Sequence, residues 1–80
     1  MDISYSKQAI KVINGLDKPA KQRIRNAIEQ LPKGDIAVMQ GYKDGRLRLR
    51  VGKYRVVYIL NNNEKKLYIM NIGSRGDIYK

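Results

Sequence analysis

Residues 46–60, RLRLRVGKYRVVYIL, decide the fold of this chain. From Arg46 to Val51 charged and apolar residues alternate strictly, which is typical of a β-strand with one buried face. Gly52 and Lys53 follow as a two-residue turn, and glycine at the first turn position suits a type II′ hairpin. We therefore predict that residues 54–60 return as an antiparallel strand.

The register of this hairpin gathers the arginines on one face of the sheet. If the turn pairs Val51 with Tyr54, the pairs on that face are Arg50 with Arg55, Arg48 with Val57, and Arg46 with Ile59. Directly opposed like charges destabilise a strand pair by roughly 0.2–1 kcal/mol. We therefore expect a partner outside the fold to compensate for this cost.

The first half of the chain predicts a short strand and two helices. Asp2 to Tyr5 can form the strand, and Ser6 can cap a helix from Lys7 to about Leu16. Asp17 can cap a second helix, with Pro19 in its first turn, that ends at Pro32. Both helices carry an apolar stripe with helical spacing, so each buries one face.

A third long strand is predicted over about residues 66–72, after the turn-forming residues 61–64. The chain should therefore form one α+β domain, residues 1–80, with a helical hairpin packed on a three- to four-stranded antiparallel sheet. The helices should cover the apolar face of the hairpin, which consists of Leu47, Leu49, Val51, Tyr54, Val56, Tyr58 and Leu60.

Composition limits the function. The 17 lysines and arginines outnumber the 7 acidic residues, and the net charge of +10 favours a polyanionic partner. Because the chain contains neither cysteine nor histidine, disulfides and a structural zinc site are excluded. No apolar run resembles a signal peptide or approaches the ~20 residues of a membrane span, so we expect a cytoplasmic protein that acts away from the membrane.

Three stretches resemble the RelE/ParE superfamily of bacterial type II toxins: SKQAIKVINGLDKPAKQRIRNAIEQLPKGD, RLRVGKYRVVY and IGSRGDIY. The resemblance covers nearly the whole chain and implies the RelE-like fold. Its RelE branch implies a messenger RNA endoribonuclease that cuts in the ribosomal A site and is held inactive by an antitoxin. Its ParE branch implies a DNA gyrase inhibitor without the ribonuclease residues.

The resemblance also implies the site. The positions that match the catalytic residues of RelE-like enzymes are Arg46, Arg48, Arg55, Arg75 and Tyr79, and Arg50, Lys53 and Lys43 are further candidates for RNA binding. Positions 46 and 48 carry arginine where many RelE relatives carry lysine, and arginine cannot readily serve as a general base. The presence of all five residues favours the RelE branch.

The expected chemistry needs no metal or cofactor. Arg55 and Arg75 are assigned to the charge on the phosphorane, Arg46 and Arg48 to the flanking phosphates, and Tyr79 to base stacking or activation of the 2′-hydroxyl. The expected partners are messenger RNA, ribosomal RNA and an acidic antitoxin. Two alternatives remain: a gyrase inhibitor in which the arginines are surface charges, and an RNA-binding module that does not cut.

Overall fold

The computed structural model describes residues 2–31 and 33–74. The chain begins with a strand, continues through two helices and ends with four further strands. These elements are β1 (Asp2–Tyr5), α1 (Lys7–Asn14), α2 (Lys18–Glu29), β2 (Asp35–Val38), β3 (Leu47–Val51), β4 (Tyr54–Asn61) and β5 (Lys66–Ser74). Neither described helix is long and apolar enough to cross a bilayer.

The strands form one five-stranded sheet in the order β1-β5-β4-β3-β2. All neighbouring strands are antiparallel except β1 and β5, which are parallel. The α+β fold with a helical hairpin on a sheet is confirmed. The additional strand β2 and the parallel pair were not predicted, because the four residues of β2 carry no strong alternating pattern and β1 pairs with a strand more than 60 residues away.

The hairpin of β3 and β4 has the predicted register. Arg50 pairs with Arg55 and Val51 with Tyr54, across a turn in which Gly52 has φ 58°. A positive φ at the first turn position and not at Lys53 agrees with type II′. The ladder begins at Leu47, so the predicted pairing of Arg46 with Ile59 is not part of it.

Both helices begin at the predicted caps. The Ser6 hydroxyl accepts a hydrogen bond from the Ala9 amide at 3.0 Å, and the Asp17 carboxylate accepts one from the Ala20 amide at 3.0 Å. Each side chain thereby satisfies an amide that has no partner within the helix. The first helix ends at Asn14, two residues before the predicted Leu16.

The helices pack on a single face of the sheet. Their buried residues share a core with the apolar side chains of β3, β4 and β5, and this core comprises Ala9, Ile13, Ile24, Ile28, Leu49, Val51, Val56, Tyr58, Leu67, Ile69 and Ile72. Because side chains alternate along a strand, the arginines of β3 and β4 lie on the opposite face. Neither α1 nor α2 covers that face.

Candidate nucleic-acid interface

Three guanidinium groups project from the helix-free side of the β3–β4 hairpin. Arg48 and Arg50 lie two residues apart on β3, and Arg55 lies directly across from Arg50 on β4. We call the surface formed by Arg48, Arg50 and Arg55 the arginine face. Its existence confirms that the alternation in residues 46–51 separates charged from apolar side chains.

A carboxylate flanks the opposed arginines. Asp35 pairs with Arg50 across β2 and β3, and its Oδ2 lies 3.9 Å from the Arg50 Nε, with the two side chains 61% and 47% exposed. A pair this long and this exposed contributes little stability. Its negative charge nevertheless offsets part of the repulsion between Arg50 and Arg55, so part of the compensation expected from outside the fold comes from within it.

The opposed arginines line a cavity of about 340 Å³ together with Gly52 and Lys53. Arg50, Arg55 and Lys53 bring three cationic side chains to this cavity, and guanidinium groups bind phosphate through paired N–H donors. We call it the turn cavity. The structure therefore brings Lys53 together with the arginine face, as expected, whereas Lys43 is exposed in the connection between β2 and β3 and is not among the residues that line this cavity.

Arg46 is bound by an acidic neighbour just before β3. Its Nη2 lies 2.6 Å from Asp44 Oδ2 and its Nε lies 3.1 Å from Asp44 Oδ1, so the pair is bidentate. The hydrogen bond from Arg46 holds the pKa of the Asp44 carboxyl below its usual value, and the same bond raises the pKa of Arg46. The charge of Arg46 is therefore largely balanced within its own loop.

The Arg46 guanidinium also lies over the Tyr42 ring, 4.0 Å from the ring centroid. This cation–π contact and the pair with Asp44 fix the side chain in front of β3. Sequence reasoning did not identify Tyr42, Asp44 or Asp35 as part of the site. The position of Asp44, two residues before Arg46, could have indicated their ion pair. The pairing of Asp35 with Arg50 depends on β2, which was not predicted.

Arg48 is half-buried, and its Nε is a buried donor with no hydrogen-bond partner among the described residues. Arg48 lines a second cavity of about 340 Å³, whose other walls are Ala37, Val38, Met39, Gln40 and Tyr42. We call it the β2 cavity. The arginine face therefore has a strongly basic end at the hairpin turn and a mixed apolar and polar end at β2.

The expected residues Arg75 and Tyr79 lie outside the described residues. The described chain ends at Ser74, which pairs with Tyr54, while the preceding Gly73 pairs with Arg55. In the segments 2–31 and 33–74, no three acidic side chains come close enough together to hold a metal ion.

Comparisons with known proteins agree on the fold. A family model described as the ParE toxin of the type II toxin-antitoxin system, parDE, matches residues 3–79. The RelE–RelB complex of Pyrococcus horikoshii OT3 contains a chain that is 30% identical, with a TM-score of 0.75, over 95% of this chain and 96% of that one. No curated protein sequence matches this chain.

Two further solved structures share the fold at lower identity. The RelB–RelE antitoxin–toxin complex of Methanococcus jannaschii contains a chain that is 24% identical, with a TM-score of 0.75, over 95% of this chain and 94% of that one. The isolated E. coli RelE toxin is 18% identical, with a TM-score of 0.65, over 98% of this chain and 89% of that one.

Proposed function

The chain belongs to the ParE toxin family of type II toxin–antitoxin systems, within the RelE/ParE superfamily, and we propose from this premise that it is a ribosome-dependent messenger RNA endoribonuclease. The resemblance inferred from the sequence motifs is thereby confirmed at the level of the superfamily. The reaction, the RNA substrate and the roles of individual residues belong to the proposal.

One observation carries the proposal: Arg50 and Arg55 are directly opposed on a sheet face that α1 and α2 leave open. Two guanidinium groups held side by side cost folding free energy and contribute nothing to the core. Together with Lys53 they line a cavity of a size that accepts a phosphate group. A polyanion that binds there offsets the repulsion, which is the behaviour expected of an RNA-binding site.

The proposed reaction is attack of a 2′-hydroxyl on the neighbouring phosphorus, giving a cyclic phosphate and a free 5′-hydroxyl. The transition state needs proton removal from the nucleophile, stabilisation of the phosphorane and protonation of the leaving oxygen. Arg55, and Arg75 directly after β5, are assigned to the phosphorane. Fixed donors in such a position contribute on the order of 3 kcal/mol each.

The surroundings of Arg46 argue against this residue as the general base. Arginine is already a poor base, and its bond to Asp44 raises the pKa of Arg46 further. Arg46 and Arg48 therefore orient the RNA and do not accept protons. Proton transfer is left to Tyr79, the ribosome or the substrate itself, and participation of the ribosome would make the isolated protein a weak nuclease on free RNA.

The proposed regulatory partner is an acidic antitoxin. The Pyrococcus and Methanococcus structures are complexes of RelE with RelB. A chain with net charge +10 offers an acidic, partly disordered segment a strong electrostatic attraction. We propose that such a segment masks the arginine face in the cytoplasm.

The test measures cleavage of a messenger on programmed ribosomes by mapping new 5′ ends. The wild type should give cuts in the A-site codon, and a double variant Arg55→Ala, Arg75→Ala should lose them. The matched control is Lys7→Ala, Lys11→Ala, which removes the same charge from the exposed surface of α1. Equal loss in both double variants, or retention of the cuts in the arginine variant, would contradict the proposed site.

A second candidate function rests on the family model, whose description names the ParE toxin of parDE. A ParE-like protein would inhibit DNA gyrase, and the arginine face would then be surface charge. Inhibition of supercoiling by purified gyrase, with no cut in ribosome-bound messenger, would favour this function. Salt-sensitive RNA binding without either activity would indicate a non-catalytic RNA-binding module.

A further inference from the structure

The β2 cavity differs in chemistry from the turn cavity on the same face. Its walls combine apolar side chains with the amide of Gln40, the phenol of Tyr42 and the guanidinium of Arg48. A volume of about 340 Å³ lies at the small end of ligand-binding cavities. We propose that this cavity binds one unstacked nucleobase of the RNA whose phosphates lie on the arginine face; this inference rests on the proposed function.

The aromatic wall suits a base. Tyr42 is 45% exposed although the Arg46 guanidinium lies 4.0 Å from its ring centroid. Arg46 is itself held by Asp44, so the ring is supported from one side by a fixed group. A planar base can stack on the remaining exposed surface of the ring, and such stacking is the usual way in which proteins hold single-stranded bases.

Arg48 offers the cavity a hydrogen-bond donor. Its Nε–H is buried without a hydrogen-bond partner among the described residues, an arrangement that protein interiors rarely tolerate. A ligand with an acceptor atom in the cavity relieves this arrangement when the guanidinium turns toward it. Nucleobases carry carbonyl and ring-nitrogen acceptors at their edges, and the Gln40 amide offers both a donor and an acceptor to the same edge.

The same chemistry disfavours an apolar side chain of a protein partner as the occupant. Val38 is 70% exposed on the edge strand β2, so an apolar side chain could cover it. Such a side chain carries no acceptor and would leave the Arg48 donor unpaired. A base can pack against the apolar wall and also accept a hydrogen bond from Arg48. The phosphate of the same nucleotide would then lie on the neighbouring arginine face.

The test compares two single-stranded oligonucleotides that carry the same phosphates. Both are 2′-O-methylated, so that attack by a 2′-hydroxyl cannot cleave them, and one is abasic at every position. Wild-type protein should bind the intact strand roughly tenfold more tightly than the abasic strand, since stacking of one base has about that effect. Tyr42→Ala and Gln40→Ala should lower this ratio toward one, and Tyr42→Phe should retain most of it.

The matched control is Tyr68→Ala, because Tyr68 is 44% exposed and lies on β5, away from the cavity. This variant should keep the wild-type ratio, and circular dichroism spectra of all variants should show the same fold. Equal binding of both strands by the wild type would overturn the base site and leave the arginine face intact. Failure to bind either strand would overturn the RNA-binding function as well.

A role in protein binding gives a different result. If Tyr42→Ala keeps the wild-type preference for the intact strand but escapes neutralisation by the antitoxin, the cavity belongs to the protein partner and the base site is wrong. Ribosome-dependent cleavage is scored separately with the same variants. If the wild type never cleaves, and Tyr42→Ala nevertheless loses the preference for the intact strand, the nuclease proposal is refuted and the base-binding cavity is supported.

Discussion

Gln8 of α1 completes the hydrogen bonding of Ile72 on β5. Its Nε2 donates to the Ile72 carbonyl at 2.9 Å, and its Oε1 accepts from the Ile72 amide at 3.0 Å. The parallel ladder with β1 ends at Ile69, and beyond that point no strand among residues 2–31 and 33–74 pairs with β5 on this side. One helical side chain therefore takes the place of a strand and fixes the end of β5 beside Arg55.

Replacement of Gln8 should weaken the fold. Gln8→Ala leaves a partly buried N–H and C=O of Ile72 without partners, and we expect a loss of about 1–2 kcal/mol in the free energy of unfolding. Urea denaturation measures this loss. Gln22→Ala is the matched control, because the Gln22 amide donates to Asn26 on the exposed surface of α2 and its replacement should cost little. Equal effects of the two variants would refute the role of Gln8.

Replacement of Arg50 should separate stability from RNA binding. Arg50→Thr removes the repulsion with Arg55 together with the long, exposed pair with Asp35, which contributes little, so at low salt the free energy of unfolding should rise by a few tenths of a kcal/mol. The gain should disappear at high salt, where charges are screened. RNA affinity should fall, and the slope of log K against log salt should become shallower by about 0.7 for each lost phosphate contact.

These two effects of Arg50→Thr are measured on one protein preparation by denaturation and by fluorescence anisotropy with labelled RNA. Lys21→Thr serves as the control for the loss of one positive charge on a helix. If both variants weaken RNA binding equally, net charge alone governs the affinity. An Arg50→Thr protein that binds RNA as the wild type does would contradict the arginine face as the binding site.

The pair of Asp44 and Arg46 should stabilise the fold near neutral pH and lose this effect in acid. The pKa of Asp44 is lowered in the folded state, so the pair stabilises the fold above the ordinary carboxyl pKa and loses this effect as pH falls through the folded value. Arg46 stays protonated at every accessible pH, so its raised pKa adds no further dependence. Carboxyl NMR should show the pKa of Asp44 rising in Arg46→Gln.

The control for this titration is Arg46→Lys, which keeps the charge but not the bidentate geometry and should shift the pKa of Asp44 by less than Arg46→Gln does. The difference in unfolding free energy between wild type and Arg46→Gln should be constant near neutral pH and shrink in acid. A difference that instead grows as the pH falls would have the wrong sign for a salt-bridged carboxylate.

Two glycines should respond in opposite directions to alanine. Gly52 has φ 58°, and Gly52→Ala should cost about 1–2 kcal/mol because an L-residue is strained there. The added Cβ would lie 3.5 Å from the Arg23 Nη1, an ordinary contact, so the cost comes from the backbone. Gly15 has φ −87°, and Gly15→Ala should be neutral or stabilising by up to about 1 kcal/mol. Thermal unfolding of both variants checks the contrast.

Local patterns predicted most of the fold. The alternation from Arg46 and the turn at Gly52 gave the correct pairing of Arg50 with Arg55, because each depends on residues within a few positions of one another. The caps at Ser6 and Asp17 are equally local. The parallel pairing of β1 with β5 was missed, since its direction depends on how the helical hairpin returns the chain to the sheet.

The candidate site was predicted less completely. That Arg48, Arg50 and Arg55 share a face follows from strand periodicity. The restraint of Arg46 by Asp44 and Tyr42, and the position of Asp35 beside Arg50, depend on the loop and on β2, which carry no strong periodic signal. The roles of Arg75 and Tyr79 stay predictions.

The sequence by itself determined that Arg48, Arg50 and Arg55 lie on the face of the hairpin opposite Leu49, Val51 and Val56, because side chains alternate along a strand. Only the tertiary structure decided that Asp44 and Asp35 lie beside Arg46 and Arg50. It also decided that Arg48 lines the β2 cavity with a donor that has no partner among the described residues. The physical reason is that electrostatic balance depends on distances of a few ångströms between residues far apart in the chain, and periodicity does not set those distances.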